Sequence, residues 1–275
     1  MDAFERTIPE LQAAMASGET TSAALVQQHL DRIAAFDRDG PRLNAMIMIN
    51  PGALEEAAEL DREREEKGPR GPLHGIPIVL KDNYDTHDMP TTASAVAMAG
   101  FVPLDDGTQV RRLREAGAVF IGKTNLHEFA RGIETISSLG GQTRNPYDPR
   151  RNPGGSSGGT AAAVAANFAA VGMGSDTCGS IRIPAANNNL FGLRVTQGLS
   201  SRDGIVPLAL TQDVGGPLAR SMIDLVTVLD ATVGADPADP QTIDADEHRP
   251  DSFAEFLDAD ALQGARLGLL TDYLE

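Results

Sequence analysis

Apolar and polar positions divide the chain into helical and extended stretches that alternate from one end to the other. Thr7 can cap a helix opening with Ile8-Pro9-Glu10, and Thr20-Thr21-Ser22 precedes a run in which Leu25, His29, Ile33 and Phe36 repeat at helical spacing. Two helices are therefore predicted between Thr7 and Phe36. Asn44-Ala45-Met46-Ile47-Met48 reads as a short strand, and Pro51 to Glu66 as a charged helix with proline near its start. Leu73 to Asn83, LHGIPIVLKDN, is an apolar run of strand length that ends in a cation and two polar residues. Thr108 to Ala116 predicts another helix, and Ala118-Val119-Phe120-Ile121 a buried strand. Between Gly154 and Ala186, two clusters of small residues, GGSSGG and DTCGS, flank an Ala-rich segment suited to a buried helix and then a short apolar strand. Gly192 to Thr196 predicts a strand or turn. Asp213-Val-Gly-Gly-Pro217-Leu leads into a helix from Ser221 to Val233, with Ile223, Val226, Val228 and Leu229 on its core face. Asp236 to Asp260, acidic and broken by Pro237, Pro240 and Pro250, predicts a solvated connector holding at most one helix, near Ser252 to Leu257. Ala265 to Leu270 predicts a last strand.

This order of elements points to an α/β fold in a single domain. Within it, residues 1–68 form an expected helical scaffold, 69–235 a catalytic core and 236–262 the acidic connector. Residues 263–275 read as the start of a truncated C-terminal portion, because a strand opening there has nothing after it to cover it.

Composition narrows the function classes. Among 275 residues, 41% are hydrophobic and 23% charged, which is a globular balance. Net charge is -16 and the lysines are Lys67, Lys81 and Lys123 alone, which argues against a nucleic-acid backbone or an anionic membrane as partner. The lone Cys178 excludes an internal disulfide and fits a reducing compartment. The opening MDAFERTIPELQ lacks the basic and apolar parts of a signal peptide, and no run approaches the ~18 apolar residues of a membrane span. A soluble, cytoplasmic protein is expected.

Several motifs compete for the chemistry. Gly117 to Thr124 matches the Walker A pattern G-x-x-x-x-G-K-T, but Ala118 to Ile121 should spend its N–H groups on a sheet ladder, so phosphate binding is rejected. His127-Glu128-Phe129-Ala130-Arg131 is half of H-E-x-x-H with Arg in the last place, and His74, His87 and His127 lack ligand spacing, so no metal is expected. Gly154-Gly155-Ser156-Ser157-Gly158 matches G-x-S-x-G, yet a Pro/Arg-rich loop precedes it and the sole later histidine is His248 in the connector. The glycine clusters could be mere tight turns. They also allow N–H groups to converge on a developing negative charge, with a serine at hand as nucleophile. Without histidine the serines need another base. Lys81, at the end of a buried strand, can serve if burial keeps it neutral; the bland alternative is a lysine snorkelling to water.

At this point the chain resembles the amidase signature family, which uses a Ser–cis-Ser–Lys triad. GIPIVLKDN, GKTNLHEFA, TRNPYDPRRNPGGSSGG, GSDTCGSIRIPAA and DVGGPLARS stand in the family's order between about Gly71 and Gly234. The resemblance implies a central mixed β-sheet flanked by α-helices. It makes Lys81 the general base, Ser156 the bridging residue on a cis peptide and Ser180 the acylated nucleophile. It assigns the oxyanion hole to the N–H groups of Thr177, Cys178, Gly179 and Ser180, and supporting contacts to Ser157, Asp176 and Arg182. Cys178 stands where the family often has glycine, and Asn187-Asn188-Asn189-Leu190-Phe191-Gly192 replaces a more common Phe-Cys-Gly segment. The implied activity is hydrolysis of a carboxamide without a cofactor; the alternatives are a glutamine-hydrolysing subunit of a tRNA-dependent amidotransferase and an inactive fragment. Expected partners are a small-molecule amide and a second copy of the chain.

Overall fold

Polar side chains decide where the first helices begin. In the computed structural model, which describes residues 1–271, Thr7 caps α1 (Ile8–Ala16) by accepting from the Glu10 N–H, while the Glu10 carboxylate accepts from the Thr7 N–H at 2.8 Å. Thr21 caps α2 (Ser22–Ile33) in the same manner, through the Ala24 N–H. A π-helical turn, Ala34–Arg38, continues α2, and its buried Asp37 accepts from the Ala45 N–H at 2.6 Å, which turns the chain into β1 (Met46–Ile49). The charged helix α3 (Ala53–Lys67) follows, as its sequence predicts.

The remaining elements build one mixed sheet. They are β2 (Pro77–Lys81), α4 (Thr108–Glu115), β3 (Val119–Thr124), the small hairpin β4 (Ile136–Ser137) and β5 (Gly141–Gln142), α5 (Gly158–Ala165), β6 (Val171–Asp176), α6 (Arg182–Asn187), β7 (Phe191–Gly192), β8 (Val214–Ala219) and α7 (Met222–Thr232). The sheet order is β1-β3-β2-β6-β8-β7. β2 runs parallel to both β3 and β6, and the outer pairings are antiparallel. The side chains of β2 alternate between two packed layers. Ile78 and Leu80 join Phe120, Met173 and residues of α1, α4 and α7, whereas Val79 joins Ile121, Phe168 and the alanines of α5. Each fully buried aliphatic side chain contributes about 1.5–3 kcal/mol at most, so both faces of β2 anchor it firmly.

Three stretches depart from their sequence-based expectation. DVGGPLA folds as the buried strand β8 from Val214, although two glycines and Pro217 argue against a strand. The acidic stretch is packed as well as solvated: Asp236 and Asp239 are buried, and they hold Ser201 and Arg202 through their carboxylates. It carries single 3-10 turns at Pro240–Thr242, Ala245–Glu247 and Phe253–Phe256. Ala265 to Leu270 forms no strand, because no neighbouring strand among the described residues offers it a ladder, and Leu267, Leu269 and Leu270 stand exposed. Residues 272–275, within the expected truncated portion, lie outside the described residues.

Candidate active site

The two-residue period of β2 puts Lys81 on the Val79 side of the sheet, toward the start of α5. Its side chain is completely buried. The Nζ lies 2.7 Å from Ser156 Oγ, 2.8 Å from Ser175 Oγ and 3.2 Å from the Ser175 carbonyl oxygen. Burial pushes the Lys81 pKa down from 10.5 to about 7, against the attraction of Asp176 and Asp213. The solvated, snorkelling alternative is thereby ruled out.

Ser156 follows a cis peptide bond from Gly155. A Cβ at position 155 would lie 2.8 Å from the Ile133 carbonyl carbon and 2.9 Å from the Glu134 nitrogen, so the residue there must be glycine. The turn is fixed from outside: Thr135 Oγ1 donates to the Gly154 carbonyl at 2.7 Å, and the His127 N–H donates to the Ser156 carbonyl at 3.0 Å. Ser157 donates its hydroxyl to the Ser175 carbonyl at 3.1 Å. Its own N–H donates to the Ser180 carbonyl at 3.2 Å, which ties the two serine clusters together. Ser180 is buried in the turn between β6 and α6. Among the described residues no hydrogen bond joins its hydroxyl to that of Ser156.

Asp176 organises the second cluster. It accepts from the N–H groups of Gly179 at 2.8 Å and Ile181 at 3.0 Å, and from the guanidinium groups of Arg182 at 3.2 Å and Arg194 at 3.0 Å. Burial alone would raise its pKa, but Arg182 and the Ile181 and Gly179 N–H groups outweigh that and hold it at about 2. The Gly179 N–H thus differs from the oxyanion role expected of it, since a carboxylate is the stronger acceptor and has captured it. The N–H groups of Thr177, Cys178 and Ser180 remain outside any hydrogen bond among the described residues. Thr177 is held by its hydroxyl, which donates to Asp213 Oδ1 at 2.5 Å. Cys178 is exposed at the rim.

Four residues join this site without having been singled out from sequence: Asn83, Ser175, Arg194 and Asp213. Asn83, Ser175 and Asp213 lie inside the quoted segments GIPIVLKDN, GSDTCGSIRIPAA and DVGGPLARS, so membership of those segments was the available signal, and Arg194 lies outside them. The other lysine of the β2–β3 pair faces away. Lys123 donates to the Pro90 carbonyl and the Thr91 hydroxyl and lies 3.6 Å from Asp82, while Val119–Thr124 is strand β3 and no phosphate loop. His87, Asp88 and Asp106 bring ligand atoms within 4.8 Å of one another, but Arg114 already pairs with both aspartates at 3.0 and 2.8 Å.

Comparison with known proteins shows the family and the fold. The Amidase family model matches residues 24–275. A glutamyl-tRNA(Gln) amidotransferase subunit from Acidothermus cellulolyticus is 42% identical over 98% of this chain and 53% of its own length. A probable amidase from Arabidopsis thaliana is also 42% identical, over 97% of this chain and 53% of its own. The crystal structure of native peptide amidase from Stenotrophomonas maltophilia superposes with a TM-score of 0.85 and 55% identity, covering 87% of this chain and 50% of that one. The chain thus spans about half the length of the relatives it matches. With the family's motifs gathered on one mixed sheet and its model matched from residue 24 onward, the chain belongs to the amidase signature family.

Proposed function

We propose that this chain carries the reacting groups of an amidase that converts a carboxamide to a carboxylate and ammonia or an amine through an acyl-enzyme on Ser180. The observation that carries the reading is a fully buried amine, Lys81 Nζ, 2.7 Å from the Ser156 hydroxyl with no carboxylate in contact among the described residues. A neutral amine there can take the Ser156 proton as Ser156 takes that of Ser180, so that the Ser180 oxygen attacks the amide carbon. The free N–H groups of Thr177, Cys178 and Ser180 suit the oxyanion that forms, and each such donor is typically worth about 10²–10³ in rate. Collapse breaks the C–N bond, and the proton returns through Ser156 to the leaving nitrogen. Water then repeats the sequence on the ester. The acidic, lysine-poor composition and lone cysteine favour a cytoplasmic setting.

A serine-directed fluorophosphonate tests this directly: the full chain should be labelled, and Ser180→Ala should abolish labelling. Label that persists on another serine would overturn the assignment. Likeness to a glutamyl-tRNA(Gln) amidotransferase subunit favours a second reading in which glutamine is the amide, and glutaminase activity that exceeds turnover of peptide amides would select it.

A further inference from the structure

Two polar residues around Lys81 have no part in the scheme above. The amine has three oxygens in reach, and two of them belong to Ser175. The Ser175 carbonyl can only accept, so it claims one amine N–H, and its other lone pair already receives the Ser157 hydroxyl. Ser175 Oγ, 2.8 Å from Nζ, receives an N–H from Asn83 Nδ2 at 3.0 Å. In this orientation the Asn83 NH₂ also faces the Val206 carbonyl at 3.4 Å, an oxygen that only accepts, while the backbone carbonyl of Asn83 accepts from the Val206 N–H at 2.8 Å.

Resting on the amidase reading, we infer that Ser175, held by Asn83, is a positioning residue for Lys81: its two oxygens take two N–H bonds of the neutral amine and leave the nitrogen lone pair to the Ser156 hydroxyl. Once the proton has crossed, the ammonium has three N–H groups and the same three oxygens to receive them, so no partner must move during the transfer. The charged groups that act on the amine are Asp176, at the end of β6, and Asp213, before β8. α5 brings no titratable side chain, and Lys123 of β3 is turned toward Asp82.

The test is the pH dependence of fluorophosphonate labelling of the full chain, with folding checked by thermal melting. The wild-type rate should fall below about pH 7 as Lys81 protonates. Ser175→Ala removes one acceptor of the ammonium. It should lower the plateau roughly 10- to 100-fold and move the acid limb down by about one pH unit, the effect of losing a hydrogen bond to a charged group. Asn83→Asp puts a carboxylate against Ser175 and should move the limb the opposite way, to higher pH. A merely structural role predicts neither shift. Limbs that stay at the wild-type position in both folded variants, or an unchanged plateau in Ser175→Ala, would overturn the inference while leaving the amidase reading intact. A wild-type chain that takes no label, or keeps it after Ser180→Ala, overturns that reading and this one with it.

Discussion

A lysine buried without a carboxylate in contact is costly, and the cost has a sign that pH can expose. Unfolded, Lys81 titrates near 10.5; folded, burial lowers this to about 7. Between those values the unfolded chain holds a proton that the folded chain lacks, so the folded state gains stability as pH rises through the window. The penalty is complete at and below pH 7, on the order of 5 kcal/mol before the hydrogen bonds to Ser156 and Ser175 are set against it. Lys81→Met should therefore end fluorophosphonate labelling yet raise the melting temperature at pH 7 by about 5 °C, a gain that shrinks at pH 10.5. Calorimetry at both pH values checks it; a lower melting temperature at pH 7 would mean that the three hydrogen bonds outweigh desolvation. Lys81 and the two serine-bearing glycine clusters could be read from sequence because each breaks a local pattern, a cation ending an apolar run or polar residues set among glycines, whereas the parts expected of Ser156, Ser157 and Asp176 came from the family resemblance. Ser175 and Asn83 lie within quoted motifs, but nothing in their local pattern points to a contact with Lys81. Their roles exist because β2 and β6 lie side by side, a relation between distant segments that no local window contains.

Close contact between α5 and the sheet fixes the element that delivers Ser156 and Ser157. The contact depends on Gly172 of β6: a Cβ there would lie 2.5 Å from Thr160 Cγ2, 3.0 Å from Val79 Cγ2 and 3.1 Å from Val164 Cγ2. Gly172→Ala should therefore lift α5 from the strand, cost about 1–3 kcal/mol in urea denaturation and slow labelling of Ser180. Thr160→Ser deletes the nearest methyl but keeps the hydroxyl bonded to Thr124 at 2.7 Å and to the Met173 carbonyl at 3.2 Å. The double variant should regain part of both losses, and a pair that behaves additively would exclude this contact as the cause. At this scale periodicity identified α1 to α4, α7 and the apolar strands, because their burial follows one face or one run. It missed β8, where GGP hides a strand whose pairing with β6 supplies the order that its own residues do not. It assigned a strand to Ala265 to Leu270, where apolar residues find no sheet edge to join.

Across the whole molecule the charges do not balance, and although the interior takes in carboxylates such as Asp37, Asp82, Asp176 and Asp224 as well as two lysines, the surface keeps a large acidic excess. Of the 23 Lys and Arg residues that offset 39 acids, Lys81 and Lys123 are buried completely, and Lys123 has Asp82 beside it inside the fold. Exposed pairs such as Arg6–Glu10 at 3.4 Å and Arg62–Glu59 at 3.9 Å offer little in return, because water and salt screen both partners. Largely buried pairs, including Arg202–Asp239 at 2.5 Å, are screened less by salt than the exposed acids are. Repulsion among surface carboxylates is then the larger salt-sensitive quantity, and the folded chain, which holds them closest together, suffers it most. Raising sodium chloride from about 0.01 to about 0.15 M shortens the screening length from roughly 30 to roughly 8 Å and should raise the melting temperature. Most of the gain should come in that first step, because at roughly 8 Å the distant acids no longer feel one another. A melting temperature that falls with salt would show that attractive pairs, not the net charge, govern the surface.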